Sequence, residues 1–422
     1  MVWQEIMNHF HYIQNELYCE NVPVSKIARD VGTPVYIYSH ATLSRHFDVF
    51  DSAFKGVNHL TCFSMKSNSN GAVLNVFSQL GGGVDIVSGG ELFRALKAGV
   101  VPEKIVYSGV GKREEELAYA LESGILLFNV ESAQEMHSLN RVAERMGKKA
   151  KIALRVNPDV DPKTHPYIST GLKENKFGVS IKDAVEQYSV ASGLKGLQVA
   201  GVSCHIGSQL TSISPFVDAL KKLKDLIERL TRLGMRIDYL DLGGGLGITY
   251  EDESPPPPTE YAAAIQAELG ETGLTLILEP GRVLVGNAGI LVAEVIYTKI
   301  SDDKIFFVVD AAMNDLMRPS LYNSYHEIRP VRVTGRKKVK ADIVGPICES
   351  GDFLAKNREV VAFEPGELLA VMSAGAYGFS MSSTYNSRPR ACEVMGKGDR
   401  FSVIREREKM EDLIRGEKVP DF

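Results

Sequence analysis

Cysteine is scarce in this sequence, and its five occurrences lie far apart. They stand at positions 19, 62, 204, 348 and 392, and no two of them are spaced as CxxC. An odd number of scattered cysteines, without histidine-rich neighbours, predicts neither a disulfide framework nor a zinc site. We therefore expect no bound metal and a reducing compartment, the cytoplasm.

Long apolar runs and a targeting segment are missing as well. No stretch approaches the run of about 18 apolar residues that a membrane-spanning helix needs. The N-terminus, Met-Val-Trp-Gln-Glu, lacks the basic and apolar regions of a signal peptide. Net charge is -5, and the basic cluster at 336–340 is short. We expect neither a membrane nor nucleic acid as a partner.

What the sequence does contain is a regular alternation of two patterns. Hydrophobic residues make up 44% and charged residues 24% of the 422 positions, which is typical of globular proteins and allows two or three domains. Apolar strand-like runs alternate with amphipathic helical patterns. The predicted strands are 59–65, 83–87, 104–108, 125–130, 151–156, 198–204, 237–242 and 274–279.

Eight strands separated by helices predict a parallel sheet, and eight is the number that closes a (β/α)8 TIM barrel. An open doubly wound sheet is the alternative, because strand order is not visible in a sequence. After residue 283, β-like runs are separated by turns rather than helices. We therefore predict an α/β protein with a barrel over 36–282 and a mainly β domain, sandwich-like or barrel-like, formed by 1–35 and 283–422. The alternative is that the early β-rich run at 34–39 joins the β domain, because it precedes the first barrel unit.

Polar residues follow the ends of several predicted strands, which is where barrel enzymes place their functional groups. A lysine that closes an apolar strand either reaches water or serves as a reactive amine. A glycine run suits an anion, because it lets backbone N–H groups approach closely. These residues are Lys66 after the first strand, His205 and Ser208 after the sixth, Gly243, Gly244 and Gly245 after the seventh, and Glu279, Gly281 and Arg282 after the eighth.

Each of these residues also has a purely structural interpretation. His205 alone suits a core histidine, the glycine run suits a tight turn, and Glu279 with Arg282 suits an internal ion pair. Together they favour pyridoxal phosphate (PLP), which needs a lysine for its Schiff base, a phosphate-binding loop and an acidic partner for its pyridine nitrogen.

The predicted β domain carries a second group of polar motifs. Cys348 stands beside Glu349 in a polar turn, which predicts an accessible thiol rather than a buried structural cysteine. Tyr377 lies in the small-residue loop AGAYG. Arg318 and Tyr322 add a basic and aromatic pair, and such a set suits an acidic, dicarboxylic substrate.

These motifs resemble those of the diaminopimelate decarboxylases, which belong to the alanine racemase-like, fold type III family of PLP enzymes. The resemblance covers roughly residues 30 to 415. Ser67 stands where the family usually has alanine, and its small side chain puts little in doubt. The matching motifs are MKSN at 65–68, HIGSQ at 205–209, LGGGLG at 242–247, EPGR at 279–282, RPSLY at 318–322, CESGD at 348–352, SAGAYG at 373–378 and YNSRPR at 385–390.

The resemblance implies a role for each candidate residue. Lys66 carries PLP, His205 stacks on its ring, and Cys348 donates a proton in the active site of the other subunit of a homodimer. Glu279 pairs with the ring nitrogen. The other implied cofactor contacts are Ser208, Gly243, Gly244, Gly245, Gly281, Arg282 and Tyr377. The implied substrate contacts are Arg282, Arg318, Tyr322, Glu349 and Tyr377.

The implied reaction is the decarboxylation of meso-2,6-diaminopimelate to L-lysine and CO2, the last step of lysine biosynthesis. The nearest rivals, decarboxylases of ornithine, arginine or lysine, generally carry Asp directly after the cysteine, where this chain has Glu349. Alanine racemases place Arg at the ring nitrogen, and single-barrel PLP-binding proteins lack the β domain. The loop 159–177 is interpreted either as a lid or as a merely long connection.

Overall fold

The computed structural model describes residues 8–160, 176–302 and 304–422. The chain divides into two compact units. The barrel unit comprises residues 44–249 and 253–284, and the β unit comprises the residues up to 43, 250–252 and 285–422. Most of the predicted loop 159–177 lies outside the described residues. Among the described residues, no helix combines the length and the apolar character needed to cross a membrane.

The N-terminal part of the β unit is a small antiparallel sheet followed by a helix and a buried strand. Strand β4 has only Ser39 as a small polar residue at its end, and all five of its residues are buried, as in a central strand. The elements are β1 (Phe10–Ile13), β2 (Glu16–Cys19), β3 (Val22–Pro23), α1 (Val24–Val31) and β4 (Val35–Ser39).

Eight parallel strands form a closed barrel in the barrel unit. Each strand pairs with the next along the chain, and the last returns to pair with the first. The predicted closed barrel is therefore confirmed, and the open sheet is excluded. The barrel strands are β5 (His59–Ser64), β6 (Gly83–Ile86), β7 (Ile105–Tyr107), β8 (Leu127–Val130), β9 (Ala150–Asn157), β11 (Leu197–Ser203), β12 (Tyr239–Asp241) and β13 (Thr275–Leu278). The short strand β10 (Val179–Ser180) pairs with β9 and is not one of the eight.

Helices lie between these strands where the hydrophobic period predicts them. The longest, α8, buries Phe216, Leu220, Leu223 and Leu230 on one face. Serine side chains cap two of the shorter helices, which fixes where these helices start. The helices are α2 (His40–Ala53), α3 (Gly71–Gln79), α4 (Gly89–Lys97), α5 (Glu114–Ser123), α6 (Ala133–Arg145), α7 (Ala184–Gly193), α8 (Ser214–Arg232), α9 (Pro258–Leu269) and α10 (Arg282–Val285).

The rest of the β unit is built on one large sheet of mixed direction. Its strand order is β18-β17-β15-β14-β4-β20-β21, and β19 joins β14 to β16. The elements are β14 (Gly289–Ser301), β15 (Lys304–Val309), α11 (Arg318–Tyr322), β16 (Ile328–Pro330), β17 (Lys338–Val344), β18 (Ala355–Val361), β19 (Leu368–Val371), β20 (Cys392–Lys397), β21 (Arg400–Arg405) and α12 (Met410–Leu413).

The structure places one boundary differently from the sequence-based expectation. A barrel domain that begins at residue 36 would include β4, whereas β4 belongs to the β unit. The reason is its pairing, because β4 lies between β14 and β20 and its side chains join their apolar core. These partners follow β4 by some 250 residues or more along the chain.

Candidate active site

The first barrel strand leads to a lysine that faces a buried aspartate. One turn of 3-10 helix, Met65–Ser67, follows β5 and carries Lys66. The Nζ atom of Lys66 lies 3.0 Å from Oδ2 of Asp85, and the same oxygen accepts a hydrogen bond from Ser64 Oγ at 2.7 Å. Asp85 is fully buried, whereas the Lys66 side chain is 35% exposed. The amine is therefore held in place yet remains accessible at the barrel mouth.

A second buried cluster surrounds Glu279, directly after β13. Its Oε1 atom accepts hydrogen bonds from Ser108 Oγ at 3.3 Å and Asn129 Nδ2 at 3.4 Å. A further hydrogen bond joins its carboxyl group to that of Asp241. Burial and the negative charge of Asp241 raise the pKa of Glu279 well above its ordinary value. Two buried carboxyl groups joined in this way hold a shared proton more readily than isolated carboxyl groups do.

His205 is a neutral ring in this site. The backbone N–H of Gly244 donates to Nδ1 of His205 at 3.2 Å, so this nitrogen is an acceptor and the ring proton is on Nε2. Burial and the positive charges of Arg155 and Lys66 lower the pKa of His205 well below its ordinary value. Arg155 is itself paired with Glu131 at 2.8 Å. A flat, uncharged ring in a fixed orientation is suited to stacking.

The glycine run packs tightly against its neighbours. A Cβ atom on Gly244 would lie 2.1 Å from the carbonyl oxygen of Glu279, and one on Gly243 would lie 2.7 Å from Nδ1 of His205. Gly243 and Gly245 also have positive φ angles of 66° and 124°. The tight turn therefore explains Gly243 and Gly245, and the close approach to the backbone of Glu279 explains Gly244.

The remaining barrel candidates lie at the same strand ends. Nη2 of Arg282 donates to Oγ of Ser208 at 3.1 Å, and Arg282 is buried. A Cβ atom on Gly281 would lie 3.1 Å from Cβ of Ser64, which explains the glycine. The barrel unit thus brings together the candidates that the sequence placed after the first, sixth, seventh and eighth strands.

Arg318 and Tyr322 lie together in the β unit. Arg318 is buried at the start of α11, and its guanidinium lies 4.9 Å from the ring centre of Tyr250 and 5.9 Å from that of Tyr322. Its Nη2 atom donates to Ser324 Oγ at 3.3 Å. The arginine is therefore held in one orientation by rings and a hydroxyl group.

Cys348 and Glu349 lie on an exposed turn of the β unit. The thiol is exposed, and the backbone N–H of Cys348 donates to Oδ1 of Asn386 at 2.9 Å. Glu349 accepts a hydrogen bond from Tyr385 and thereby raises the pKa of that tyrosine. Tyr377 lies on a separate loop with a φ of 55°, a left-handed conformation that is uncommon for a tyrosine and marks a constrained position.

Sequence reasoning missed several polar side chains that complete the barrel site. Each of them is a polar residue inside or at the end of an otherwise apolar strand, and that interruption is the signal that could have identified it. Asn129 on β8 and Asp241 on β12 were missed altogether. Asp85 on β6 and Arg155 on β9 are polar residues near the ends of predicted strands, but sequence reasoning assigned them no role.

Known proteins match this fold and site over almost the whole chain. The family described as "Pyridoxal-dependent decarboxylase, pyridoxal binding domain" matches residues 40–286. The diaminopimelate decarboxylase of Aquifex aeolicus is 50% identical over 97% of this chain and 98% of its own. That of Haemophilus influenzae is 53% identical over 96% of this chain and 98% of its own. The chain belongs to the diaminopimelate decarboxylase family.

A solved structure supports this assignment. The diaminopimelate decarboxylase of Helicobacter pylori, complexed with L-lysine, has a TM-score of 0.90 at 43% identity, covering 93% of this chain and 98% of its own. Family, enzyme class, PLP dependence and fold are thereby confirmed. So is the predicted activity, decarboxylation of meso-2,6-diaminopimelate to L-lysine and CO2.

The barrel residues fit PLP as the diaminopimelate decarboxylases use it. The cluster supplies an accessible amine, backbone N–H groups in a glycine loop and a carboxyl group. In addition, Oδ1 of Asp85 and Oδ1 of Asn129 are buried acceptors without a hydrogen-bond partner in the described part of the chain. Buried acceptors of this kind are expected beside a polar ligand.

The packing around the glycine run generates a prediction about Gly244. We expect Gly244→Ala to destabilise the protein by about 3 kcal/mol, because its Cβ would collide with the backbone oxygen of Glu279. Gly111→Ala is the matched control, since a Cβ there meets open space. Urea unfolding and PLP content measure both variants. Equal stability of the two variants would contradict the close approach.

Proposed function

We propose that Lys66 holds PLP at the barrel mouth and that the chain decarboxylates meso-2,6-diaminopimelate there. The observation that carries this proposal is one buried cluster that contains an accessible amine beside Asp85, the ring of His205 with Nδ1 as an acceptor, and the carboxyl group of Glu279 paired with that of Asp241. When bound, PLP withdraws electrons from the α-carbon of an amino acid, which allows the bond to the carboxylate to break.

The barrel residues divide the binding of the cofactor between them. Lys66 would attach it covalently, with Asp85 holding the amine in position. His205 would pack its uncharged ring on the cofactor, and Glu279 would pair with the ring nitrogen. The phosphate would be bound by N–H and O–H donors, which a dianion requires. The donors would come from Ser208, Gly245, Gly281, Arg282 and Tyr377. Gly243 and Gly244, whose N–H groups donate to Asp241 and His205, would form the loop that lies against the phosphate.

Selectivity for the substrate would come from its distal end, which carries its own ammonium and carboxylate. Arg318, with Arg282 as a second cation, would bind the carboxylate, and Glu349 the ammonium, while Tyr322 and Tyr377 would line the substrate. The buried and fixed guanidinium of Arg318 supports this role. A substrate without the distal carboxylate would leave this charge unpaired, which is costly.

We further propose a homodimer in which each subunit completes the active site of the other. Cys348 of the partner subunit would return a proton to the α-carbon after CO2 has left. The exposed thiol and the adjacent Glu349 support this arrangement, because both project from the surface of the β unit. All five cysteines are free thiols, which supports the cytoplasm as the compartment.

CO2 release tests the proposed reaction directly. We expect purified protein with PLP to decarboxylate meso-diaminopimelate and not ornithine, arginine or lysine. Lys66→Ala should lower kcat by a factor of at least about 10³, because the covalent attachment and its amine are lost. Lys151→Ala is the control, since Lys151 is an exposed lysine near the start of β9. Release from a basic amino acid instead would overturn the assignment of Arg318 and Glu349.

The role of Arg318 predicts a loss that depends on the substrate. Arg318→Ala should lower kcat/KM for meso-diaminopimelate about 100-fold or more and should improve no smaller substrate. PLP affinity should stay unchanged, which separates this effect from misfolding. Arg329→Ala serves as the control, because Arg329 is a partly exposed arginine of the β unit paired with Glu327. Unchanged kinetics would exclude Arg318 from substrate binding.

Shared active sites predict complementation between two inactive variants. Lys66→Ala and Cys348→Ala each damage a different part of the site, so a mixed dimer has one intact site. Random exchange of subunits should then restore about a quarter of the wild-type activity. Differently tagged chains that copurify establish that exchange occurred. Copurification without restored activity would mean that Cys348 acts within its own subunit, and a fully active Cys348→Ala variant would mean that it has no role.

A further inference from the structure

Asp241 joins the two ends of the candidate cofactor site. It is the last residue of β12 and is completely buried. Its Oδ2 atom accepts a hydrogen bond from Asn129 Nδ2 at 2.6 Å, and its Oδ1 atom accepts one from the backbone N–H of Gly243 at 2.8 Å. The third contact is the hydrogen bond with the carboxyl group of Glu279. One side chain thus contacts both the glycine run and Glu279.

The donors around Asp241 indicate which carboxyl group holds the shared proton. The Asn129 amide nitrogen and the Gly243 N–H can only donate, so both oxygens of Asp241 must act as acceptors. Two donors on its oxygens favour the ionised form of Asp241, the better acceptor, and so favour the shared proton on Glu279. The backbone also links Glu279 to the glycine run, because the N–H of Glu279 donates to the carbonyl oxygen of Gly243 at 2.8 Å.

We propose that Asp241 is a positioning residue that stays ionised, keeps a proton on Glu279 and holds the glycine run in register with it. This inference rests on the proposed function. Glu279 would then meet the cofactor as an acid and would hold a proton between its carboxyl group and the ring nitrogen. The charge of Asp241 stabilises the proton within that new pair, because it makes the local potential more negative.

The other groups around this pair leave its charge uncompensated. Asp85 and Lys66 face it from the neighbouring strands and pair with each other. The thiols of Cys62 and Cys204 also face Asp241, and they remain neutral because burial raises the pKa of each. Arg155 is further away and paired with Glu131. One negative charge therefore remains on Asp241 and Glu279.

Asp241→Asn separates this role from a purely structural one. The new amide keeps the size of the side chain and an acceptor for the Gly243 N–H. Oδ1 of Asn129 has no hydrogen-bond partner in the described chain, so this amide can turn round and accept from the new one. The variant is expected to fold. Glu135→Gln is the control, because Glu135 is another buried carboxyl group of the barrel unit, paired with Lys112.

The experiment measures PLP affinity and the absorption spectrum of bound PLP against pH in full-length protein. In Asp241→Asn we expect the pH at the midpoint of the absorption change to fall by about one pH unit or more, and the affinity for PLP to fall about tenfold. Glu135→Gln should match the wild type in the pH midpoint and in PLP affinity, even if the variant is less stable. A lower unfolding temperature with an unchanged midpoint would make Asp241 a mere support for the loop and would overturn the inference.

A second measurement needs no cofactor. Infrared spectra of the cofactor-free protein should show a protonated carboxyl band that Glu279→Gln removes, and in Asp241→Asn this band should titrate at lower pH. An unchanged titration overturns the inference. Failure of the proposed function looks different, because wild-type protein would then bind PLP no better than Lys66→Ala.

Discussion

The carboxyl groups of Asp85, Asp241 and Glu279 are buried in one cluster at the mouth of the barrel, and the site depends on how their charge is compensated. An uncompensated buried carboxylate costs several kcal/mol. Asp85 is compensated by Lys66 and Ser64, and Asp241 by Asn129 and a backbone N–H. Glu279 lies beside Asp241, and burial together with that charge raises its pKa, which favours a proton on the pair. These three solutions give the site an amine, an anion and an acid within one cluster.

The barrel makes this clustering possible, because parallel strands deliver their carboxyl ends to one rim. Residues 112 and 150 positions apart become neighbours there, as Asn129 does with Asp241 and Glu279. Glycine is needed where two strand ends touch, since the loop after β12 lies against the backbone of Glu279. The same contact sets the distance between the donors of the loop and the acid.

Much of this could be predicted from the sequence, and the misses share one physical cause. Apolar runs of strand length, alternating with helix-period patterns, were enough to predict the barrel strands. The polar residues at the strand ends were enough to select Lys66, His205 and Glu279 as candidates. Strand β4 was assigned to the barrel because its partners β14 and β20 are remote in sequence. Asp241 was missed because an acid before three glycines looks like a turn residue until Asn129 and Glu279 are seen beside it.

The charge distribution of the barrel mouth also orients whatever binds there. One end carries the negative charge shared by Asp241 and Glu279, which favours a cationic ring nitrogen. The other end carries the hydroxyl group of Ser208 and the guanidinium of Arg282 close together, which favours a phosphate. A molecule with a basic nitrogen and a phosphate at opposite ends fits in one direction only. Because Asp241 contacts both Glu279 and the glycine run, a displacement of the acid also moves the loop, so the two stay matched.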